Sequence, residues 1–151
     1  MPARPLRLFC LLSCLLIAAT AFAQEGHPIK GTWVGYWGPT ATQNRVVIVM
    51  DYDGKTISGT VNPGSNGVPV KLARFDIIPG KPPAKPGELP GEPTFKVHIE
   101  ADAKDAKGGS ITIIADGTMQ EAALPNRFIT GTWTQTSGGN TVKGDFRIRR
   151  Q

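Results

Sequence analysis

Apolar residues recur at every second position through most of the chain, a period that predicts strands rather than helices. In "TFKVHIEA", Phe95, Val97 and Ile99 alternate with Thr94, Lys96, His98 and Glu100, so one face of the strand is dry and the other wet. "SITIIAD" at 110–116 places Ile111 and Ile113 on one side in the same way. "NRVVIVMDYDGKTISGTV" is a β-branched run, an Asp-Gly pair and a second run. Gly54 tolerates the positive φ of a tight turn, and the stretch predicts a hairpin. The chain closes with "FITGTWTQTSGGNTVKGDFRIRR", a hairpin around Gly138 and Gly139 in which Phe146 and Ile148 face away from Arg147 and Arg149. With "GTWVGYW" and "VPVKLARFDII", about eight strands emerge and no convincing helix.

Short strands joined mostly by hairpins must hide one apolar face and two pairing edges. Closure into an eight-stranded antiparallel up-and-down barrel does both, and this is the predicted fold. A repeated pattern agrees with it: "IKGTW" at 29–33, "ISGTV" at 57–61 and "ITGTW" at 129–133 read as equivalent barrel positions. In each copy the glycine (Gly31, Gly59 or Gly131) allows a coiled strand to bend at a corner, the threonine faces out and the next apolar residue faces in. Trp33 and Trp133 are thereby expected inside, near the meeting of the first and last strands.

The start of the chain has the order of a secretory signal: "MPARPLR" is basic, "LFCLLSCLLIAA" is a short apolar run, and "AFA" at 21–23 supplies small residues at a cleavage site. A spanning helix needs about 20 apolar residues, so cleavage after Ala23 is expected rather than an uncleaved anchor. "LLSC" also loosely imitates a lipoprotein signal, which leaves acylation at Cys14 as an alternative, although Leu12 is bulky for one. The expectation is therefore a signal peptide over 1–23, a single domain over 24–151, and a secreted or periplasmic location. Arg4 and Arg7 account for two of the 17 basic residues, and against 12 acidic ones the remainder carries only about +3. Both cysteines, Cys10 and Cys14, also lie in this segment, so the expected domain has neither a disulfide nor a thiol nucleophile. No dense basic stripe interleaved with aromatic residues is visible, so neither nucleic acid nor, after signal cleavage, a membrane is an expected partner.

"GTWVGYW", "ISGTVNPGSNGVPV" and "ITGTWTQTSGG" together resemble the small secreted bacterial β-barrel modules, and the opening Gly-x-Trp is similar to that of lipocalin-like and avidin-like barrels. The resemblance covers nearly all of residues 24–151 and implies an eight-stranded antiparallel closure with a cavity. Two departures are plain. The tryptophan pairs and polar residues that hold biotin in avidin-like proteins have no counterpart here, and no cysteine pair matches the usual lipocalin bridge. Fold carries over from such a likeness; ligand identity does not.

"PGKPPAKPGELPGEP" at 79–93 has six prolines and three glycines, so it lacks the amide donors of a strand and reads as a loop. It is either a solvated connection or a polyproline II segment offered to a protein partner. "DAKDAKGG" at 102–109 reads as a polar hairpin loop.

Motifs for chemistry are absent from the sequence. There is no Gly-x-Ser-x-Gly elbow, and no Lys-Ser/Thr follows the glycines of "NPGSNGVP" to make a phosphate loop. Of the two histidines, His27 stands near the expected mature terminus and His98 on a polar strand face, neither at metal-ligand spacing. Asp51, Asp53 and Asp116 are read as strand-end and turn residues. No catalytic residue, metal site or cofactor is expected. The candidate ligand-binding residues are the aromatic ones, Trp33, Tyr36, Trp37 and Trp133, which either plug the barrel or line a cavity for a small apolar or aromatic molecule. An accessory protein-protein interaction module of the cell envelope, docking through 79–93, is the alternative function.

Overall fold

The computed structural model describes residues 26–151, so the expected signal segment with Cys10 and Cys14 lies outside the described residues. Eight strands follow in order: β1 (Gly31–Gly38), β2 (Asn44–Tyr52), β3 (Ile57–Val61), β4 (Val68–Ile78), β5 (Thr94–Lys104), β6 (Ser110–Gln120), β7 (Phe128–Ser137) and β8 (Asn140–Arg150). Each pairs antiparallel with its sequence neighbours, and β1 pairs with β8, closing an up-and-down barrel. No helix occurs among the described residues.

Alternation fixes which side chains point inward. Val46, Ile48 and Met50 of β2, Val97, Ile99 and Ala101 of β5, and Phe146 and Ile148 of β8 are buried in the interior. The connections are set by turn chemistry. Gly138 and Gly139 both have positive φ (55° and 82°), as a two-residue turn matched to strand twist requires. At 105–109 the Asp105 carboxylate accepts the amides of Lys107 and Gly109 at 2.8 and 2.7 Å. Residues 79–93 form the β4–β5 connection, cinched at its base where the Gly91 amide donates to the Lys81 carbonyl at 2.8 Å.

Two strands run further than the sequence suggests. β5 continues to Lys104, so the hairpin loop there is shorter than 102–109. β6 continues to Gln120, which puts Asp116 in mid-strand rather than at a strand end. Asp116 pairs with His98 on β5 and Thr132 on β7, and the next residue, Gly117, faces Gly131 across the ladder. The ladder on both sides carries the strand through an Asp-Gly pair that elsewhere makes a turn.

The repeated pattern behaves as expected in facing and differs in height. Trp33, Val61 and Trp133 all point inward, and Trp33 and Val61 flank the same residue, Ile48. Trp133 stands nearer the other end, opposite Ala115 and Gly144. Strand stagger in a closed barrel separates residues that occupy like positions in sequence. At Gly131 a Cβ would fall on the Asp116 carbonyl of β6, so the close approach of the two strands requires glycine.

One end of the barrel is filled and the other is not. Towards the start of β1 the interior is packed by Ile29, Trp33, Ile129 and Ile148, all fully buried. β3 pairs with β4 only at Thr60–Pro69 and Val61–Val68, and the two strands part below that point. The His27 ring lies on this side, 4.2 Å from the Tyr52 ring and 5.1 Å from that of Phe75, so the segment before β1 helps to seal this end.

Candidate functional site

The four candidate aromatic residues fall into three environments. Trp33 is wholly buried at the filled end, and its indole N–H donates to the Ile29 carbonyl at 2.7 Å. Such a ring, with its polar atom satisfied by the backbone, plugs the barrel. Tyr36 lies on the outer wall, 49% exposed. Trp37 and Trp133 are brought together inside the other end, edge to face, with ring centroids 4.6 Å apart. The Trp133 indole donates to the Gly38 carbonyl at 3.1 Å, reaching across β8 to β1 and locking its ring against the seam that closes the barrel.

These two rings form one wall of a cavity of about 160 Å³. Ile48, Val61, Ile99 and Phe146 are among the residues that complete its apolar lining. Two amides interrupt it: Asn62, exposed at the rim, and Gln135 on β7. The Asn62 oxygen accepts the Val47 amide at 2.9 Å, which leaves its N–H₂ group as a donor at the rim. A cavity of this size and lining suits a single small ring: an apolar cavity of about 150 Å³ holds benzene. Sequence reasoning found Trp37 and Trp133 by type and face. It missed Asn62, Gln135 and the small residues Ala101 and Ala115 that leave the space. Those positions are recognisable only once strand register is known.

The outer wall carries a second cluster that the sequence conceals. His98, on β5, has Nδ1 2.6 Å from Asp116 Oδ1 on β6 and Nε2 3.0 Å from Glu100 Oε1 two residues along its own strand. Hydrogen bonds that His98 donates to Glu100 and then to Asp116 raise the imidazole pKa above its ordinary value. Beside it the Lys96 ammonium donates to the Thr118 hydroxyl at 2.9 Å. Carboxylates contact both ring nitrogens of His98, and no metal-binding group of three or more His, Cys, Asp or Glu exists among the described residues. His27 differs: burial lowers its pKa.

Comparison with protein-family models, curated proteins and solved structures finds no match.

Proposed function

We propose that the chain is a non-catalytic, lipocalin-like barrel, secreted or periplasmic, that holds a small apolar or aromatic molecule in the cavity walled by Trp37 and Trp133. One observation carries this reading: the interior is packed solid at one end and holds an apolar cavity with an edge-to-face tryptophan pair at the other. A core evolved only for stability gains nothing from the space, because each missing contact costs dispersion energy. The size favours a monocyclic ring, and the amides of Asn62 and Gln135 favour one polar substituent directed to the rim.

The test is thermal unfolding of residues 24–151 together with tryptophan fluorescence, across a panel of small aromatic, aliphatic and sugar compounds. A ligand at about a hundred times its Kd stabilises the fold by about 2.7 kcal/mol. Monocyclic aromatics should raise the unfolding temperature with concentration and change the fluorescence; an unfolding temperature unmoved by every compound would overturn the proposal.

A second reading has its own observation. In the 79–93 connection Leu89 is 89% exposed, in a proline-rich segment whose base is hydrogen-bonded. A partner protein that takes this segment into a groove would bury that leucine at low entropic cost. Deleting 81–91 should then abolish recovery of the partner while leaving the melting profile intact.

A further inference from the structure

The barrel assembles on its outer wall a group of residues that are far apart in sequence. Tyr36 of β1 stands between Arg147 of β8 and Arg45 of β2. In the next row Val34 stands between Arg149 of β8 and Val47 of β2, and below it Val49 of β2 pairs with Thr32. All three arginines are exposed, and so are Tyr36 and Val49. Strands lie about 4.8 Å apart and residues on one face about 7 Å apart, so the Cα atoms of the three arginines span about 10 by 7 Å. The Arg147 guanidinium lies over the Phe128 ring, 4.5 Å from its centroid, which steadies it.

Among the described residues no carboxylate forms an ion pair with this field: none of the ion pairs includes Arg45, Arg147 or Arg149. Asp51 at the foot of β2 is held by Lys30 at 2.8 Å, and Asp145 flanks the field two residues before Arg147. Exposed Val49, half-buried Val34 and Val47, a tyrosine and arginines in alternation are the chemistry of a bilayer interface: cations meet phosphates, the phenol sits at headgroup level and aliphatic carbon meets the acyl boundary.

We propose that the outer wall of β8, β1 and β2 docks on an anionic phospholipid surface, with Arg45, Arg147 and Arg149 on headgroup phosphates and Tyr36 at the interface. A second copy of the chain is disfavoured as occupant, because a two-fold interface would bring two net-positive patches together. Single-stranded nucleic acid is disfavoured because one exposed ring offers little base stacking and valines occupy the space between the cations. Linear reading misses the wall, since residue 45 is separated by about a hundred positions from 147 and 149. The proposal is independent of any ligand in the cavity.

Residues 24–151 contain all eight strands and the whole described core, and are the form to test, free of the apolar segment before them. Sedimentation with phosphatidylglycerol-containing vesicles should show binding that weakens from low to physiological salt, with little binding to pure phosphatidylcholine. The triple variant R45Q/R147Q/R149Q should lose about a hundredfold in partitioning, equivalent to about 1 kcal/mol for each arginine at an anionic surface. K55Q/K104Q/K107Q removes the same charge elsewhere and should change partitioning by less than about fivefold. Y36S, which leaves every charge in place, should weaken binding without altering its salt dependence. Circular dichroism melts establish that each variant is folded. Failure of the unaltered chain to bind, equal loss in the two triple variants, or tighter binding to a single-stranded oligonucleotide than to vesicles would each overturn the assignment.

Discussion

Trp33 and Trp37 lie four residues apart on the same face of β1, yet only Trp33 is sealed on every side. Trp33→Ala removes a fully buried ring at the filled end and leaves the Ile29 carbonyl without its donor. The expected cost is about 3–5 kcal/mol, read as a shift of the urea midpoint without a change in slope. Trp37, partly exposed beside the cavity, should cost less than half as much when replaced by alanine, while the response to aromatic ligands disappears. A Trp37→Ala variant as destabilised as Trp33→Ala, or one that still binds, would contradict the division of roles. That both side chains point inward was legible from the alternation of "GTWVGYW". Which of them is a plug was not, because it depends on Ile29, Ile129 and Ile148 converging at one end.

Hairpin turns and strand alternation were readable at the level of the element because both are local. Asp53-Gly54 makes a turn, with the Asp53 carboxylate accepting the amides of Lys55 and Thr56 at 2.8 and 2.7 Å. Asp116-Gly117 has the same composition and stays in β6, because Gly117 faces Gly131 and the Asp116 carboxylate faces His98. The difference lies in neighbours that only the register reveals, and so does the change in His98 from a lone polar-face histidine to the centre of a cross-strand cluster. Its raised pKa has a consequence for stability. A group that binds its proton more tightly when folded contributes stability that is fully present below its unfolded pKa of about 6.5 and lost as pH rises through the folded value. His27 has the opposite sign: its folded pKa is lowered by burial, so stability is lost as pH falls from about 6.5 through the folded value. His98→Gln should therefore flatten the alkaline side of the melting-temperature profile and leave the acid side, while His27→Phe should do the reverse. An unchanged alkaline slope in His98→Gln would show that the carboxylate contacts do not hold the proton in solution.

Closure is the property of the whole molecule on which both the cavity and the outer wall depend. The β1–β8 ladder joins residues more than a hundred positions apart and creates the seam that Trp133 crosses to reach Gly38. Gly35 stands in the middle of that seam opposite Ile148, and a Cβ on it would fall on the Arg147 carbonyl. Glycine is needed there for close approach, since the backbone of β8 occupies the space a side chain would take. Gly35→Ala should force β1 and β8 apart, and overpacking of this kind typically costs about 1–3 kcal/mol. The more diagnostic effect is on the edges: two strands that were paired become free to join other chains. Size-exclusion chromatography of Gly35→Ala should show concentration-dependent oligomers and loss of the ligand response, since Trp37 and Trp133 would no longer be held together across the seam. Gly54→Ala makes the contrast, because nothing lies within 4 Å of a Cβ there and its strain, from a φ of 100°, is confined to one turn. That variant should lose stability and remain monomeric. If Gly35→Ala behaved in the same way, the barrel would tolerate an open seam, and the cavity would not depend on closure.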